Sequence, residues 1–118
     1  MYYKDMEVWK ESINLVLDIY RITNEFPTDE KFGIVSQMRR CAVSVPSNIS
    51  EGVVKTSNKD SVRFIEIAMG SLAELDTQFF ISEKLGYIKG SENIKAQMDK
   101  VFALLRGLKK YLENQEDS

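Results

Sequence analysis

Basic side chains that can hold phosphate oxygens are concentrated in the second quarter of the chain. Residues 31–64 carry six Lys or Arg against two Asp or Glu, whereas the 118-residue chain has a formal net charge of −2. Arginine forks onto phosphate oxygens, and each cation that neutralises a phosphate strengthens binding to nucleic acid. The sequence therefore offers five candidate nucleic-acid contacts: Arg39, Arg40, Lys55, Lys59 and Arg63.

Both groups of cations also have ordinary structural interpretations. The pair Arg39 and Arg40 lies beside an apolar stripe, where ion pairs with carboxylates such as Glu66 or Glu74 are the alternative. The other three cations fit a solvated loop. No glycine-rich phosphate loop or RNA-binding fingerprint accompanies them.

A second set of polar residues lies near the apolar stripes of the two central helices. Polar groups that become buried must find hydrogen-bond partners. We therefore interpret this set as structural polar pairs or subunit contacts: Gln37, Asn48, Glu51, Glu74 and Gln78.

The composition removes most kinds of catalytic site. The chain has no histidine and a single cysteine, Cys41. Nucleophile–histidine pairs, histidine-ligated zinc, internal disulfides and cysteine clusters for zinc or iron–sulfur are thereby excluded. Paired carboxylate catalysis has only scattered Asp and Glu to support it. We expect no enzyme activity, no cofactor, no metal and no small-molecule substrate.

The sequence also indicates a location. A lone thiol fits a reducing compartment. No stretch approaches 18 consecutive apolar residues, so no membrane association is expected. The first residues lack a basic region followed by an apolar run, which a secretory signal requires. The expected location is the cytoplasm.

Helical periodicity runs through the whole chain and predicts a single domain, residues 1–118. Helices are expected at about 6–25, 33–55, 58–85 and 92–113, and short connections make neighbours antiparallel. The fold class is therefore all-α, an up-down-up-down four-helix bundle. Pro46 should kink the second helix because it removes a backbone donor. Asp5, Ser57 and Ser91 are the expected helix caps. The core stripe expected for the first helix is Met6, Trp9, Ile13, Val16 or Leu17, and Tyr20.

More apolar surface is present than one narrow core can hide. The residues that fall outside the main stripes are Val43, Ile67, Phe80, Ile81 and Phe102. A second apolar ridge of this kind marks a protein–protein contact. The sequence therefore predicts a homo-oligomer.

Long motifs give the chain a specific resemblance, which covers residues 5–112. The matching segments are Asp5–Trp9, Phe26–Ile34, Ser36–Gly52, Phe64–Gln78 and Leu85–Ile88. This pattern resembles the family of small four-helix-bundle proteins encoded by intervening sequences in bacterial 23S rRNA genes.

The resemblance implies a bundle that assembles as a ring, a pentamer. A related branch, the accessory variability determinant of diversity-generating retroelements, partners a reverse transcriptase and binds nucleic acid through a basic surface. This chain differs from that branch in being acidic overall. Two functional hypotheses follow. The first is a homo-oligomer associated with RNA, a ribonucleoprotein or a nucleic-acid enzyme. The alternative is a protein-binding scaffold or accessory subunit without specific nucleic-acid binding.

Overall fold

Four α-helices make up most of the protein. The computed structural model describes residues 2–115 and contains no strand within them. The helices are α1, Glu7–Thr23; α2, Ile34–Val54; α3, Asn58–Lys84; and α4, Glu92–Glu113. Two 3-10 turns, Tyr3–Asp5 and Thr28–Glu30, precede α1 and α2. The helix limits expected from periodicity differ from these by at most two residues.

Each helix packs against two others, so the four enclose one core. Helix α1 contacts α2 and α4, and α3 contacts the same two helices. The core is built from aliphatic side chains of all four helices together with Phe26, Met38, Cys41, Phe79 and Met98. The all-α four-helix bundle is thereby confirmed, whereas the up-down-up-down order stays a prediction.

The helix ends follow the local sequence in part. The Ser57 hydroxyl accepts a hydrogen bond from the Asp60 N–H, which confirms the expected cap of α3. Gly86, with φ of 81°, ends α3 in the left-handed conformation that glycine tolerates. Asp5 was expected to cap α1, but it lies in the preceding 3-10 turn and Met6 takes that position. Ser91 occupies the cap position of α4 without a side-chain cap hydrogen bond.

The core face of α1 is not the one that its spacing suggested. The buried apolar residues are Val8, Leu15 and Ile19, whereas Leu17 and Tyr20 are exposed. Because α1 carries apolar residues on more than one face, periodicity alone could not select the buried one. The consequence is an apolar face on α1 that the bundle leaves exposed.

Helix α2 runs without interruption through Pro46, and the kink there stays a prediction. Pro46 cannot donate to the carbonyl of Ala42. The Ser47 hydroxyl donates to the carbonyl of Val43 at 2.8 Å, and Asn48 Nδ2 donates to the carbonyl of Ser44 at the same distance. Side chains thus donate to the carbonyls of Val43 and Ser44, which follow the Ala42 carbonyl that Pro46 leaves without its helical donor.

None of the helices in residues 2–115 is both long and apolar enough to cross a membrane.

Candidate nucleic-acid interface

Arg39 is half-buried, and neutral groups hold its guanidinium in place. Its Nε donates to the Thr23 hydroxyl at 2.9 Å, and one terminal nitrogen donates to Asn24 Oδ1 at 3.0 Å and to the Tyr20 carbonyl at 3.3 Å. The guanidinium also lies over the Tyr20 ring. Neither carboxylate considered from the sequence pairs with Arg39. Glu66 pairs with Lys109 at 3.1 Å, and Glu74 contacts the Cys41 thiol. Arg39 therefore joins α1 to α2.

Arg40, the next residue, is exposed. It has no ion pair or hydrogen bond from its side chain in the described part of the chain. Together with Tyr20, Phe32, Val43 and others, it lines a groove of about 470 Å³ between α1 and α2. Arg40 and Lys55 are 15 residues apart on one helix, a separation of roughly 22 Å. The two arginines are thus remote from the other three candidate contacts.

The remaining three cations meet where α2 turns into α3. Lys55 Nζ lies 3.5 Å from Glu51 Oε2 and 4.9 Å from the centre of the Phe64 ring. The guanidinium carbon of Arg63 lies 5.3 Å from the same ring centre. Lys59 is exposed and has no ion pair among residues 2–115. We call Lys55, Lys59 and Arg63 the basic turn.

A hollow of about 540 Å³ adjoins the basic turn, between the start of α3 and the end of α4. Lys59 and Arg63 line it from one helix. Three carboxylates line it as well, those of Asp60, Glu66 and Glu113. The hollow is therefore a mixed-charge surface, and a phosphate there would meet carboxylates as well as cations.

Asn48 belongs to a polar seam along the contact of α2 and α3. Its Nδ2 is 2.9 Å from the Ser44 Oγ, which in turn lies 2.8 Å from the Ser71 Oγ. These hydrogen bonds satisfy half-buried polar groups within one chain. Asn48 thus has partners inside the protomer, as a structural polar pair requires.

The seam continues through Cys41, between Glu74 and Gln78. Gln78 Nε2 donates to the Cys41 sulfur at 3.6 Å, and the thiol lies 3.9 Å from Glu74 Oε2. Burial raises the pKa of the Cys41 thiol, and the Glu74 charge adds to this, against the opposing effects of Gln78 and Arg40. The protonated thiol is poorly nucleophilic. Within residues 2–115, the buried Oε1 of Gln78 has no hydrogen-bond partner.

The other two residues of the polar set lie outside the seam. Gln37 is exposed near the start of α2. Glu51 is exposed and forms the ion pair with Lys55 at the opposite end of that helix.

Two contacts between separate elements, 57 and 8 residues apart in the chain, were not expected from the sequence. The Tyr87 hydroxyl donates to Glu30 Oε2 at 2.8 Å, and the Tyr87 ring packs against Phe26. The Ser91 hydroxyl donates to Glu83 Oε2 at 2.6 Å, and Lys95 Nζ lies 2.9 Å from the same oxygen. Both contacts fix the loops at the end of the bundle opposite the basic turn. No short motif signals them, because the partners come from separate elements.

The apolar ridge expected off the main stripes is largely exposed. Val43, Ile67, Phe80 and Ile81 lie on the surface, whereas Phe102 is half-buried against the core. Phe32, which is not part of this ridge, is the most exposed large apolar side chain in the described residues, at 90%. Further exposed apolar residues are Tyr2, Leu17, Tyr20, Val54, Leu85 and Tyr111.

Comparison with protein families decides the relationship that the motifs suggested. The family model described as 23S rRNA-intervening sequence protein matches residues 4–107. The chain belongs to this family. This 23S rRNA-intervening sequence family protein shares its fold with a protein of unknown function from the S23 ribosomal protein family of Bacteroides thetaiotaomicron VPI-5482. The crystal structure of that protein was determined at 1.70 Å resolution.

That structure aligns with a TM-score of 0.78 and 21% sequence identity, and covers 87% of this chain and 98% of its own. At this identity the likeness establishes the fold. A comparison with curated proteins found no match. Within residues 2–115, no group of three or more Cys, Asp or Glu side chains is placed to hold a metal ion.

Proposed function

We propose that the chain is a non-enzymatic, homo-oligomeric helical-bundle protein whose exposed apolar surfaces bind further copies of itself. The observation that carries this proposal is the set of large apolar side chains left uncovered by the bundle, Phe32 above all. Single exposed apolar residues are normal, but contiguous ones mark interaction sites. The pentamer implied by the resemblance is the assembly that we propose.

The chemistry of the surface accords with a binding role. The one thiol is buried and its pKa is raised, so it is a poor nucleophile. The polar residues of the α2–α3 seam are engaged with one another and do not converge on an open cleft. Exposed large apolar side chains, in contrast, occur on all four helices.

Light scattering coupled to size-exclusion chromatography tests the proposal. One chain has a mass of 13.6 kDa, so five chains would give about 68 kDa. We expect this mass at tens of micromolar protein. A monomer under these conditions would overturn both the pentamer and the oligomeric function.

Association with RNA is a second candidate function, which the basic turn supports. Lys59 is free of ion pairs in the described residues, and Arg63 presents its guanidinium beside an aromatic ring. In an oligomer the basic turn would recur once per subunit and raise the local positive potential. The accessory variability determinant branch, which binds nucleic acid, is related to the family that this chain resembles, although this chain is acidic overall.

A charge-reversal pair tests the RNA candidate. The variant Lys59→Glu with Arg63→Glu should abolish binding to structured RNA in fluorescence anisotropy. The slope of log K against log salt should become shallower by about 0.7–0.9 for each phosphate that is no longer neutralised. The matched control reverses Lys10 and Lys89, exposed cations away from the turn. Equally weakened binding in both variants would indicate a general charge effect. Absence of RNA binding by the unaltered protein at low salt would leave only the hypothesis of a protein-binding scaffold.

A further inference from the structure

We propose that the groove between α1 and α2 is the docking site for the C-terminal part of α3 from a second copy of the chain. This inference rests on the proposed homo-oligomeric function and names the two surfaces that meet. The α1–α2 groove is lined by Tyr20, Lys31, Phe32, Val35, Ser36, Arg39, Arg40 and Val43. The α3 patch consists of Phe80, Ile81 and Leu85, together with Glu74 and Asp76.

The α1–α2 groove combines exposed apolar side chains with positive charge. Phe32 is 90% exposed, with the Lys31 ammonium 5.5 Å from its ring centre. Three of the eight lining residues are cations and none is a carboxylate. Arg39 is hydrogen-bonded to neutral groups, so its charge is not compensated. The groove therefore fits a partner with apolar side chains and carboxylates.

The α3 patch has these two properties. Phe80 is 56% exposed, and Ile81 and Leu85 continue the apolar surface toward the end of the helix. Asp76 lies one turn before Phe80, and Glu74 lies two turns before Ile81, so the carboxylates share their faces. Neither carboxylate forms an ion pair in the described part of the chain, and the one side-chain contact of Glu74 is with the Cys41 thiol, at 3.9 Å. One cation, Lys84, lies over the Phe80 ring.

Charge and apolar exposure together favour a second copy over nucleic acid. A polyanion would match the cations of the groove but would leave the α3 patch uncovered, because carboxylates repel phosphates. Pairing the groove with the α3 patch covers both apolar surfaces and brings opposite charges together, the arrangement that electrostatic complementarity favours. Because the two surfaces are different, the contact is heterologous. Each copy can bind one neighbour through its groove and another neighbour through its α3 patch.

Two single-surface variants test the pairing. Phe32→Asp disables the groove, and Phe80→Asp with Ile81→Asp disables the α3 patch. All three residues are exposed, so folding should survive, which circular dichroism checks. For each variant alone, the dissociation constant of self-association should rise by roughly tenfold or more. A matched control is Tyr111→Asp, a similarly exposed aromatic on α4, which should leave the assembly unchanged.

Mixing the two variants gives the decisive measurement. One partner keeps an intact α3 patch and the other an intact groove. An equimolar mixture should therefore form a dimer of two 13.6 kDa chains, about 27 kDa, by light scattering. A charge exchange adds a second readout. Arg40→Glu should weaken assembly, and adding Asp76→Arg to the same chain should restore it.

The outcomes separate this inference from the proposed function. If the unaltered protein is a monomer, the homo-oligomeric function fails and the inference fails with it. If the protein is oligomeric but the mixture yields no dimer, or one variant keeps full assembly, only the pairing of these surfaces is wrong. If Phe32→Asp abolishes RNA binding and leaves the mass unchanged, nucleic acid occupies the groove instead.

Discussion

The guanidinium of Arg39 lies 4.5 Å from the centre of the Tyr20 ring, stacked on a side chain of the neighbouring helix. The same guanidinium donates to the Tyr20 carbonyl and to the Thr23 hydroxyl. Because Arg39 is on α2 and the other residues are near the end of α1, one side chain holds two helices at a fixed separation. Positive charge near a helix C-terminus is also favourable to the helix dipole.

Replacing Arg39 should therefore destabilise the fold. Arg39→Ala removes three hydrogen bonds and a cation–π contact, and we expect the free energy of unfolding to fall by about 1–3 kcal/mol. Urea denaturation followed by circular dichroism measures it. Arg106→Ala is the control, expected within about 0.5 kcal/mol because Arg106 is exposed on α4 and lies in neither proposed docking surface. Equal effects of the two substitutions would contradict the structural role of Arg39.

Two glycines in helices should respond in opposite directions to alanine. A Cβ at Gly52 would lie 3.1 Å from the Ser61 carbonyl oxygen and 3.2 Å from Ile65 Cδ1, so α2 and α3 would have to separate. We expect Gly52→Ala to lower stability by about 1–2 kcal/mol. A Cβ at Gly107 would meet nothing within 4 Å. Gly107→Ala should raise stability by about 0.5–1 kcal/mol, because alanine is the better helix former.

Thermal unfolding of both glycine variants measures these changes. The prediction for Gly52 fails if its alanine variant is as stable as the unaltered protein, since the close approach of the two helices would then be unnecessary.

The phenol of Tyr87 should titrate at unusually high pH. Its hydrogen bond to Glu30 raises the pKa of Tyr87 above the ordinary value near 10, with smaller contributions from burial and nearby carboxylates. The fold thus favours the protonated phenol. Its stabilising contribution is present below about pH 10 and disappears as the pH rises through the folded-state pKa.

The absorbance titration of the unaltered protein minus that of Tyr87→Phe isolates this phenol. In the Glu30→Ala background the pKa of Tyr87 should move down toward its ordinary value. An unchanged titration in that background would mean that Glu30 does not hold the proton on Tyr87.

Acid should weaken the fold partly through Glu83. The hydrogen bond from Ser91 and the contact with Lys95 lower the pKa of Glu83. Since the fold favours the ionised form, the contribution is present above the ordinary value near 4.3 and disappears as the pH falls through the folded-state pKa. Melting temperatures between about pH 6 and 3 should fall less steeply for Glu83→Gln than for the unaltered protein. Glu25→Gln, at an exposed loop position, should keep the original slope.

Local sequence patterns predicted the elements of the fold because their causes are local. The spacing of four and three along α4 placed Ile94, Met98, Val101 and Leu105 on one face, and all four are buried. The glycine at position 86 ends α3, as a helix-terminating glycine should. These features depend on neighbours within one or two helical turns, which the sequence displays directly.

The candidate site was harder to predict because it depends on how the helices rotate against each other. Arg39 was placed correctly beside the α2 stripe, but its partners are on α1, where the buried face was misjudged by about one position. Because the buried face of α1 was not known from the sequence, a carboxylate was the partner expected for Arg39. The contact of Tyr87 with Glu30 spans 57 residues and joins two loops. No spacing rule reaches across such a distance.

The short connection between α2 and α3, residues 55–57, has a consequence for the speed of folding. It joins two helices that lie in close contact at Gly52, and forming their contact closes only a small loop, so little chain entropy is given up. Proteins dominated by contacts between near neighbours in sequence fold in microseconds to milliseconds. We therefore expect the α2–α3 hairpin to form in the transition state, with α1 and α4 docking afterwards onto a prepared surface.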